Sequence, residues 1–477
     1  MNASVERILL GGSRKSGPLG SVYEVRDPWS GGAVGRVESA TAEDAGEAVV
    51  RARRGFAETK ALPAYARATI LSQIASRIRE RGDSFAELIT RETGKPIQYS
   101  TVEVERAIFT FQTAAEEAKR IGGEVIPLDL AAASAGRFGL TRRFPLGIVL
   151  GITPFNYPLN LVAHKVAPAI AAGNAFILKP APQAPLTSLL LGEVIAETAF
   201  PKEAFSILPA SNEVAEQLVR DERIAMLSFT GSANVGWRLK TAAGRKKVLL
   251  ELGGNAGVIV DAGVPLEETV KKNVLGSFVS SGQVCIKVQR IFVHEQIFDV
   301  YLRRFVELTK SLAVGDSHDP ATVVGPLIDD SAADRVEAWI RNAVRGGAVL
   351  HCGGGRRGRV IEPAVLTGVG RSCEVYTEEV FGPVTTLHPF RDIDEAIAGV
   401  NDTRYGLQAG IFSNDLSHML AAFERLDVGA VVVNDNPSYR IDHMPYGGIK
   451  HSGFGREGIR YAVEAMTEPK LLVVHPS

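Results

Sequence analysis

Apolar residues recur at helical intervals in the first third of the chain. Thr41 and Asp44 have the spacing of a capping box, and the apolar positions that follow them predict a helix. The same periodicity predicts a second helix near residues 70–78, and a third helix ends at Gly94, with Pro96 just beyond. This part of the chain is therefore predicted to be a helical scaffold after a short β-rich start.

From residue 146 onward, short apolar runs alternate with helical segments. Five runs lie at residues 146–152, 175–179, 205–208, 224–229 and 248–251. This alternation predicts parallel strands joined by helices that cover both faces of a sheet. Ligands of such sheets bind at the carboxyl ends of the strands. A second set of strands and helices begins near Gly257, so we predict an α/β protein with two lobes.

The charge balance points to a small ligand. The 477 residues include 53 Lys and Arg and 54 Asp and Glu, which leaves a formal net charge of −1 and gives no electrostatic reason to expect nucleic acid or membrane as a partner. Prolines interrupt the apolar stretch at 144–180, so no membrane helix is expected. With three cysteines and no signal-peptide pattern, we expect a cytoplasmic protein with no disulfide framework and no metal site.

Three residues are candidates for catalysis. Cys285 follows Gly282 and two serines, where backbone amides can approach a thiolate; a buried, inert thiol is the alternative. Glu251 ends an apolar run before two glycines, a dry position that favours a general base with a raised pKa; a paired loop carboxylate is the alternative. Asn156 lies in a turn bounded by prolines, where its amide either donates to an oxyanion or caps the turn.

Phosphate-binding features lie in the same region. Gly231 and Ser232 follow an apolar run and begin a predicted helix, so backbone N–H groups are expected to face an anion such as pyrophosphate. The spacing of Gly231 and Gly236 differs from the GxGxxG fingerprint, and it therefore permits a dinucleotide without requiring one. Lys179 ends another run before Pro180, where its cation either holds ribose or phosphate or stays solvated.

Seven segments occur in the order and approximate spacing of one known family. They are TPFNYP (153–158), FILKPAPQAP (176–185), FTGS (229–232), LELGGN (250–255), GQVC (282–285), EEVFGP (378–383) and PYGGIKHSGFGREG (445–458). Together they are far more specific than any one of them. From about residue 25 to its C-terminus, the chain resembles the NAD(P)-dependent aldehyde dehydrogenase superfamily.

The resemblance implies an aldehyde dehydrogenase-like α/β fold with three parts. Residues 1–119 and 143–254 would form a Rossmann-like cofactor domain, and residues 255–445 would form a catalytic α/β domain. Residues 120–142 and 446–477 would form a β-strand oligomerisation arm and a C-terminal return. The family also implies a homodimer or a homotetramer.

The resemblance further implies a mechanism. Cys285 would attack the aldehyde, with the oxyanion held by the Asn156 amide and the Cys285 backbone N–H. NAD or NADP would accept the hydride and leave a thioester, and Glu251 would activate water for its hydrolysis or first deprotonate the thiol. The implied cofactor-binding residues are Thr153, Pro154, Phe155, Lys179, Pro182, Gly231, Ser232, Glu379 and Phe381.

Departures from the family pattern refine these expectations. Pro182 stands where many NAD-preferring members have a glutamate that repels a 2′-phosphate, so NADP becomes plausible beside NAD. Phe155 replaces the usual tryptophan beside the oxyanion asparagine. Glu251 is retained, whereas members that acylate coenzyme A commonly lack it, and a free acid is therefore the favoured product.

The substrate is expected to be a small polar or anionic aldehyde. The predicted substrate-binding residues are Arg106, Tyr157, Leu161, His164, Arg440 and His443. Their positive character suits a short hydroxylated or anionic aldehyde better than a fatty one. The alternative for His164 is a histidine bonded to backbone. The alternative for Arg106, Arg440 and His443 is a surface salt bridge.

The segments NLVAHKVAPA, GQVCIKVQRIFVH and RIDHMPYGGIK resemble the branch of lactaldehyde, phosphonoacetaldehyde and non-phosphorylating phosphoaldehyde dehydrogenases. Lys287 is unusual in that branch and leaves the substrate open. Succinic semialdehyde is one alternative substrate. A cofactor-independent cysteine esterase and a non-catalytic binding protein are the alternatives in other functional classes.

Overall fold

The computed structural model describes residues 5–475 of the chain. The α-helices in this part are α1 (Ala42–Ala61), α2 (Ala64–Glu80), α3 (Gly82–Thr93), α4 (Ile97–Glu117), α5 (Asn160–Ala172), α6 (Pro185–Ala196), α7 (Asn212–Arg220), α8 (Ala233–Ala242), α9 (Leu266–Phe278), α10 (Glu295–Lys310), α11 (Asp330–Arg345), α12 (Glu374–Thr377), α13 (Ile393–Asn401), α14 (Leu416–Arg425) and α15 (Ile459–Ala465).

The strands in the same part of the chain are β1 (Val5–Glu6), β2 (Leu9–Leu10), β3 (Ser13–Arg14), β4 (Val22–Arg26), β5 (Ala33–Glu38), β6 (Val125–Pro127), β7 (Phe138–Pro145), β8 (Ile148–Ile152), β9 (Ala175–Lys179), β10 (Phe205–Ile207), β11 (Met226–Thr230), β12 (Lys247–Glu251), β13 (Ala256–Val260), β14 (Val288–His294), β15 (Val349–Cys352), β16 (Arg356–Arg357), β17 (Val360–Ile361), β18 (Ala364–Thr367), β19 (Val384–Phe390), β20 (Gln408–Phe412), β21 (Ala430–Val433), β22 (Gly453–Phe454) and β23 (Thr467–Val474).

The helical scaffold predicted for the first third is confirmed. At the start of α1, the Thr41 hydroxyl accepts a hydrogen bond from the Asp44 N–H at 3.1 Å, and the Asp44 carboxylate accepts one from the Thr41 N–H at 2.9 Å. Helix α3 ends at Gly94, whose φ of 70° suits glycine. The apolar faces of these helices pack into one core with the larger sheet.

The larger sheet creates the crevice that the sequence pattern predicts. Its strand order is β22-β12-β11-β8-β9-β10-β2-β3, and the strands from β12 to β10 run parallel. The order reverses at β8, since the chain first builds β9 and β10 on one side and then β11 and β12 on the other. A ligand crevice opens at such a reversal, outside the carboxyl ends of the strands. Thr153, Lys179, Gly231 and Glu251 all lie at these ends.

A second sheet carries the nucleophile candidate. Its order is β15-β18-β19-β14-β13-β20-β21, and it is parallel except for β15. Cys285 immediately precedes β14, and the segment with Glu379 and Phe381 precedes β19, which pairs with β14. Two neighbouring strands therefore bring these three residues to the same edge of the sheet.

A small antiparallel sheet has the order β23-β7-β6. Its strands differ from the arm expected at 120–142 and 446–477: β7 continues past residue 142 to Pro145, and β23 begins only at Thr467. Residues Gly453 and Phe454 instead pair with Glu251 and Leu250 of β12 in the larger sheet, so part of the expected return supports the crevice. The assignment of these sheets to cofactor, catalytic and oligomerisation domains stays a prediction.

None of the helices between residues 5 and 475 combines the length and apolar character needed to cross a lipid bilayer.

Candidate active site

Cys285 follows a strained turn between α9 and β14. Ser280, Ser281 and Gly282 have φ angles of 50°, 59° and 69°, left-handed values that serine rarely adopts. The Ser281 hydroxyl donates a hydrogen bond to the Gly325 carbonyl at 3.0 Å and accepts one from the Gly325 N–H at 2.9 Å, which helps to hold this backbone. The turn places Cys285 in the wall of a cavity of about 440 Å³.

This cavity brings the three predicted catalytic residues together. Cys285, Glu251 and Asn156 all line it. The predicted cofactor and substrate residues that also line it are Pro154, Phe155, Leu161, Gly231, Ser232, Glu379, Phe381 and Arg440. The volume lies within the range of small-molecule sites, and both sheets contribute residues to it.

The Cys285 side chain rests as a thiol. Burial raises the pKa of Cys285 to about 11, although a hydrogen bond with Tyr446 acts in the opposite direction. In this state of the protein, desolvation therefore outweighs the polar contacts of the sulfur. Nucleophilic attack at neutral pH requires a base that removes the thiol proton.

Asn156 is fixed in an orientation that suits an oxyanion donor. Its Nδ2 donates one hydrogen bond to the Gln283 carbonyl at 2.9 Å, which leaves the second N–H of the same amide available. The backbone N–H of Cys285 donates to no acceptor within residues 5–475. Two donors can therefore converge on an oxygen bound beside Cys285.

Glu251 ends β12 with a dry carboxyl group. Neither of its carboxyl oxygens has a hydrogen-bond partner among residues 5–475. Burial and the nearby Glu457 carboxylate raise the pKa of Glu251 well above its ordinary value, which confirms the predicted direction. Gly447 permits this placement for two reasons. A Cβ atom on residue 447 would lie only 2.9 Å from Oε1 of Glu251, and the φ of 153° at Gly447 is unfavourable for other residues.

A buried ionic network lies beside Glu251 and Arg440. The Lys165 ammonium donates to Glu457 at 3.0 Å, and Nη2 of Arg440 donates to the same carboxylate at 3.3 Å. Asp442 forms a second centre, where it pairs with Nη2 of Arg106 at 2.7 Å and with Nε2 of His164 at 2.8 Å. The network holds residues 440–457 against the fully buried helix α5.

The cavity also contains groups that fit a nicotinamide cofactor. Oε1 of Glu379 accepts a hydrogen bond from the Gly254 N–H at 3.0 Å, and burial raises the pKa of Glu379 to about 7. The rings of Phe155 and Phe381 meet edge to face with centroids 5.9 Å apart. Such an aromatic pair offers an apolar surface to a flat ring beside a carboxyl acceptor for hydroxyl groups.

Anion-binding features lie next to this carboxyl group. Ser232 precedes α8 and its side chain does not cap the helix, so the first N–H groups are free for a ligand. The buried Thr230 hydroxyl has no partner within residues 5–475. Lys179 is buried at the end of β9, and burial lowers its pKa. The start of α8 and the Thr230 hydroxyl fit the pyrophosphate of a dinucleotide, and a contact of Lys179 with its ribose stays a prediction.

Three predicted cofactor residues lie outside the cavity wall, namely Lys179, Thr153 and Pro182. Thr153 is buried after β8, and its backbone N–H donates to the Lys179 carbonyl at 3.2 Å. Pro182 is exposed two residues after Pro180. Their contacts with a cofactor stay predictions.

The predicted substrate residues divide into three groups. Leu161 and Arg440 line the cavity. Behind it, Arg106 pairs with Asp442 and lies over the Tyr157 ring, while His164 is fully buried against Asp442. His443 is exposed beside Phe109 in a separate surface cleft of about 1220 Å³. The structure thus brings only the first group directly to the wall of the cavity.

Lys287 lies in the protein interior. Its ammonium donates to the Val384 carbonyl at 2.6 Å, and burial lowers the pKa of Lys287 to about 7. Val384 begins β19, directly after the segment that carries Glu379 and Phe381. Lys287 therefore contacts the first residue of the strand that follows this segment, and it does not line the cavity.

Sequence reasoning missed three residues of the site. Tyr446 lies 3.1 Å from the Cys285 sulfur, and Asp442 and Glu457 organise the ionic network. Tyr446 and Glu457 fall within the segment PYGGIKHSGFGREG. The segment marked this part of the chain as important, but it assigned no role to these two side chains. Within residues 5–475, no group of three or more His, Cys, Asp or Glu side chains is placed to hold a metal ion.

Comparison with known proteins identifies the class. The model of the aldehyde dehydrogenase family matches residues 15–472. The 3-sulfolactaldehyde dehydrogenase of Priestia aryabhattai is 42% identical over 453 residues, which cover 95% of this chain and 94% of that protein.

Two solved structures share the fold. Aldehyde dehydrogenase 21 of Physcomitrella patens, in complex with the reaction product succinate, has a TM-score of 0.98 and 43% identity and covers 100% of this chain and 99% of its own. Glyceraldehyde-3-phosphate dehydrogenase GapN of Methanocaldococcus jannaschii, in complex with NADP, has a TM-score of 0.91 and 40% identity, with 95% and 99% covered.

The fold, the cavity and these similarities define an oxidoreductase of the α/β class. The chain belongs to the aldehyde dehydrogenase family. It is an NAD(P)-dependent aldehyde dehydrogenase, which excludes the cofactor-independent esterase and the non-catalytic binding protein as its principal class.

Proposed function

We propose that the protein oxidises a small aldehyde with an anionic group to the free carboxylic acid. The observation that carries this proposal is the buried guanidinium of Arg440 in the wall of the cavity that contains Cys285. Nε of Arg440 is buried without a hydrogen-bond partner among residues 5–475. A substrate carboxylate, sulfonate or phosphate would supply the missing acceptor.

The charge of the ionic network supports an anionic substrate. Its cations are Arg106, Lys165 and Arg440, and its anions are Asp442 and Glu457. Burial and the charge of Arg440 lower the pKa of His164, so this residue stays neutral at neutral pH. Glu251 aside, the network has one positive charge in excess, which an anionic substrate would neutralise during binding. The related sulfolactaldehyde dehydrogenase and the succinate-bound structure concern compounds with such a group.

The residues of the cavity support covalent catalysis. The thiol proton passes to water or to Glu251, and the Cys285 sulfur bonds to the carbonyl carbon. The Asn156 amide and the Cys285 backbone N–H donate to the resulting oxyanion. Bound NAD(P)⁺ supplies the hydride acceptor that converts the adduct to a thioester. Once the thiol proton has been released to solvent, the ionised Glu251 takes a proton from water and the hydroxide oxygen adds to the thioester carbon. The C–S bond then breaks, the carboxylic acid leaves, and the sulfur is returned to Cys285 as a thiolate.

The cofactor would be held at the adjoining end of the cavity. Glu379 would accept hydrogen bonds from ribose hydroxyls, while Phe155 and Phe381 would contact the nicotinamide ring. Gly231, Ser232 and the start of α8 would bind pyrophosphate, and Lys179 would reach the adenosine ribose.

Arg440→Met is expected to raise KM for 3-sulfolactaldehyde about 10- to 100-fold more than KM for lactaldehyde, because a hydrogen bond to a charged group is lost. The two aldehydes form a matched pair that differs by the sulfonate group. Initial rates at the reduced-nicotinamide absorbance measure the effect. If KM rises equally for both aldehydes, the substitution has disturbed Cys285 and its surroundings and not the contact with the sulfonate. Equal increases in KM would therefore contradict a role of Arg440 in anion recognition.

Pro182→Glu is expected to lower the ratio of kcat/KM for NADP to that for NAD by about 10-fold, because the new carboxylate repels a 2′-phosphate. Pro182→Gln has a similar shape without the charge and serves as the matched control. Parallel assays with the two cofactors give the ratios. If Pro182→Gln changes the ratio as much as Pro182→Glu, charge repulsion is not the cause.

We propose a homodimer or homotetramer assembled through the sheet β23-β7-β6. The exposed side chains of Leu471, Leu472 and Val473 on β23 support this assembly, since apolar edge strands are typically covered by a partner. Light scattering coupled to gel filtration distinguishes the two states from a monomer. The cytoplasmic location stays a prediction.

A further inference from the structure

Tyr446 contacts the reacting sulfur, and neither the family motif nor the proposed function assigns this contact a role. The Tyr446 hydroxyl oxygen lies 3.1 Å from Sγ of Cys285. The ring is buried, only 3% exposed, in an apolar cluster with Val284, Ile286 and Leu407. This packing aims the hydroxyl at the sulfur from a fixed ring, so the contact is part of the built site.

Arg440 lies on the face of the same ring. The carbon at the centre of its guanidinium is 3.6 Å from the ring centroid of Tyr446, well within cation–π range. A cation against the ring face draws electron density from the ring and makes the phenol O–H a stronger hydrogen-bond donor. Glu457 anchors the guanidinium from its other side, which keeps Arg440 in place over the ring.

We propose that Tyr446 is a catalytic residue whose hydroxyl donates a hydrogen bond to the Cys285 sulfur and stabilises the thiolate, with Arg440 strengthening the donor. The inference rests on the proposed role of Cys285 as nucleophile. The thiol proton goes to Glu251 or to water, and Tyr446 keeps its own proton throughout. The hydrogen bond also holds the sulfur in one position before attack.

Electrostatics agree with this assignment of donor and acceptor. Burial and the neighbouring Cys285 raise the pKa of Tyr446 well above its ordinary value, so the phenol stays protonated. The same contact lowers the pKa of Cys285 against the larger effect of burial. The other ionisable groups that face the sulfur are Glu379 and Glu251, which raise its pKa, Arg440, which lowers it, and Tyr157.

The test measures alkylation of Cys285 by iodoacetamide as a function of pH, without substrate. The thiolate sulfur forms the new S–C bond and iodide leaves, so the rate follows the thiolate fraction. The reagent is neutral and does not sense the charge of Arg440 directly. Mass spectrometry of the peptide that contains Cys285 separates its reaction from that of Cys352 and Cys373.

Tyr446→Phe keeps the ring and removes the hydroxyl. We expect the midpoint of the alkylation profile to move up by about one pH unit and the rate at pH 8 to fall about 10-fold. Tyr301→Phe is the matched control, because it removes a buried phenol that pairs with Asn273 outside the cavity. The control should leave the midpoint unchanged.

Arg440→Met is a second variant that leaves the hydroxyl in place. It removes both the cation on the ring and the direct attraction of Arg440 for the thiolate, so the midpoint should also move upward. The double variant should shift by less than the sum of the two single shifts, because the hydroxyl and the cation act together. A thermal shift on addition of NADP confirms that each variant is folded. If Tyr446→Phe is folded, an unchanged or lower midpoint in this variant would overturn the inference. If Tyr446→Phe does not fold, an unchanged midpoint in Arg440→Met would overturn it. Failure of the wild-type protein to oxidise any aldehyde would instead contradict the proposed function.

Discussion

Cys285→Ala is expected to lower kcat for aldehyde oxidation by at least about 10⁴-fold, because the carbonyl carbon loses its only sulfur nucleophile in the cavity. The cavity wall otherwise keeps Glu379, Phe381 and the start of α8. Binding of NADP, measured by calorimetry, should therefore stay within about 3-fold of wild type, since none of these contacts changes. The variant separates the loss of chemistry from a loss of structure.

Cys373→Ala is the matched control for this prediction. Cys373 is half-buried where α12 begins and does not line the cavity. Its replacement should leave kcat within about 2-fold of wild type, as expected for a site remote from the chemistry. Appreciable turnover by Cys285→Ala, or an equal loss in Cys373→Ala, would show that another group forms the bond to substrate.

Glu251→Gln is expected to lower kcat by about 10²- to 10⁴-fold, the usual contribution of a general base. The amide cannot accept the proton of the attacking water, so acyl-enzyme should accumulate. Stopped-flow absorbance should then show one rapid equivalent of reduced cofactor per active site before a slow steady state. A larger loss in the steady state than in the first turnover is the specific signature.

The dependence of kcat on pH provides a second test of Glu251 as the general base. Glu251 acts as a base only when ionised, and burial beside Glu457 raises the pKa of Glu251. The wild-type kcat should therefore fall on the acidic side at a pH above the ordinary glutamate range, and Glu251→Gln should lose this limb.

Glu92→Gln is the control for a buried carboxyl group. Glu92 accepts hydrogen bonds from the backbone N–H groups of Leu186 and Thr187, and it does not line the cavity. It should show neither the burst nor the loss of the acidic limb. A normal steady state in Glu251→Gln would remove Glu251 from thioester hydrolysis.

The fold was predictable where local chemistry determines it. The capping box at Thr41 and the glycine stop at Gly94 operate over three or four residues, and the structure contains both. Alternating strands and helices also predicted the parallel sheet and the placement of Glu251 at a carboxyl end. These features follow from periodicity and from short-range hydrogen bonds.

The rest of the site depends on contacts between distant parts of the chain. Tyr446 reaches Cys285 across 161 residues, and Asp442 reaches His164 across 278. Helical spacing placed His164 on one face with Tyr157. It could not indicate that His164 would pair with the Asp442 carboxylate and so lie outside the cavity wall. Desolvation of Cys285 was equally hidden, because burial depends on the packed structure.

The most direct test of the account locates the acyl group itself. Glu251→Gln is mixed with NAD(P)⁺ and the better substrate of 3-sulfolactaldehyde and lactaldehyde, quenched in acid within one turnover, and analysed by mass spectrometry of its peptides. The account predicts the mass of the substrate acyl group on the peptide that contains Cys285, removable by hydroxylamine as expected for a thioester. Turnover with an unmodified Cys285, or an acyl group on Cys352 or Cys373, would contradict it.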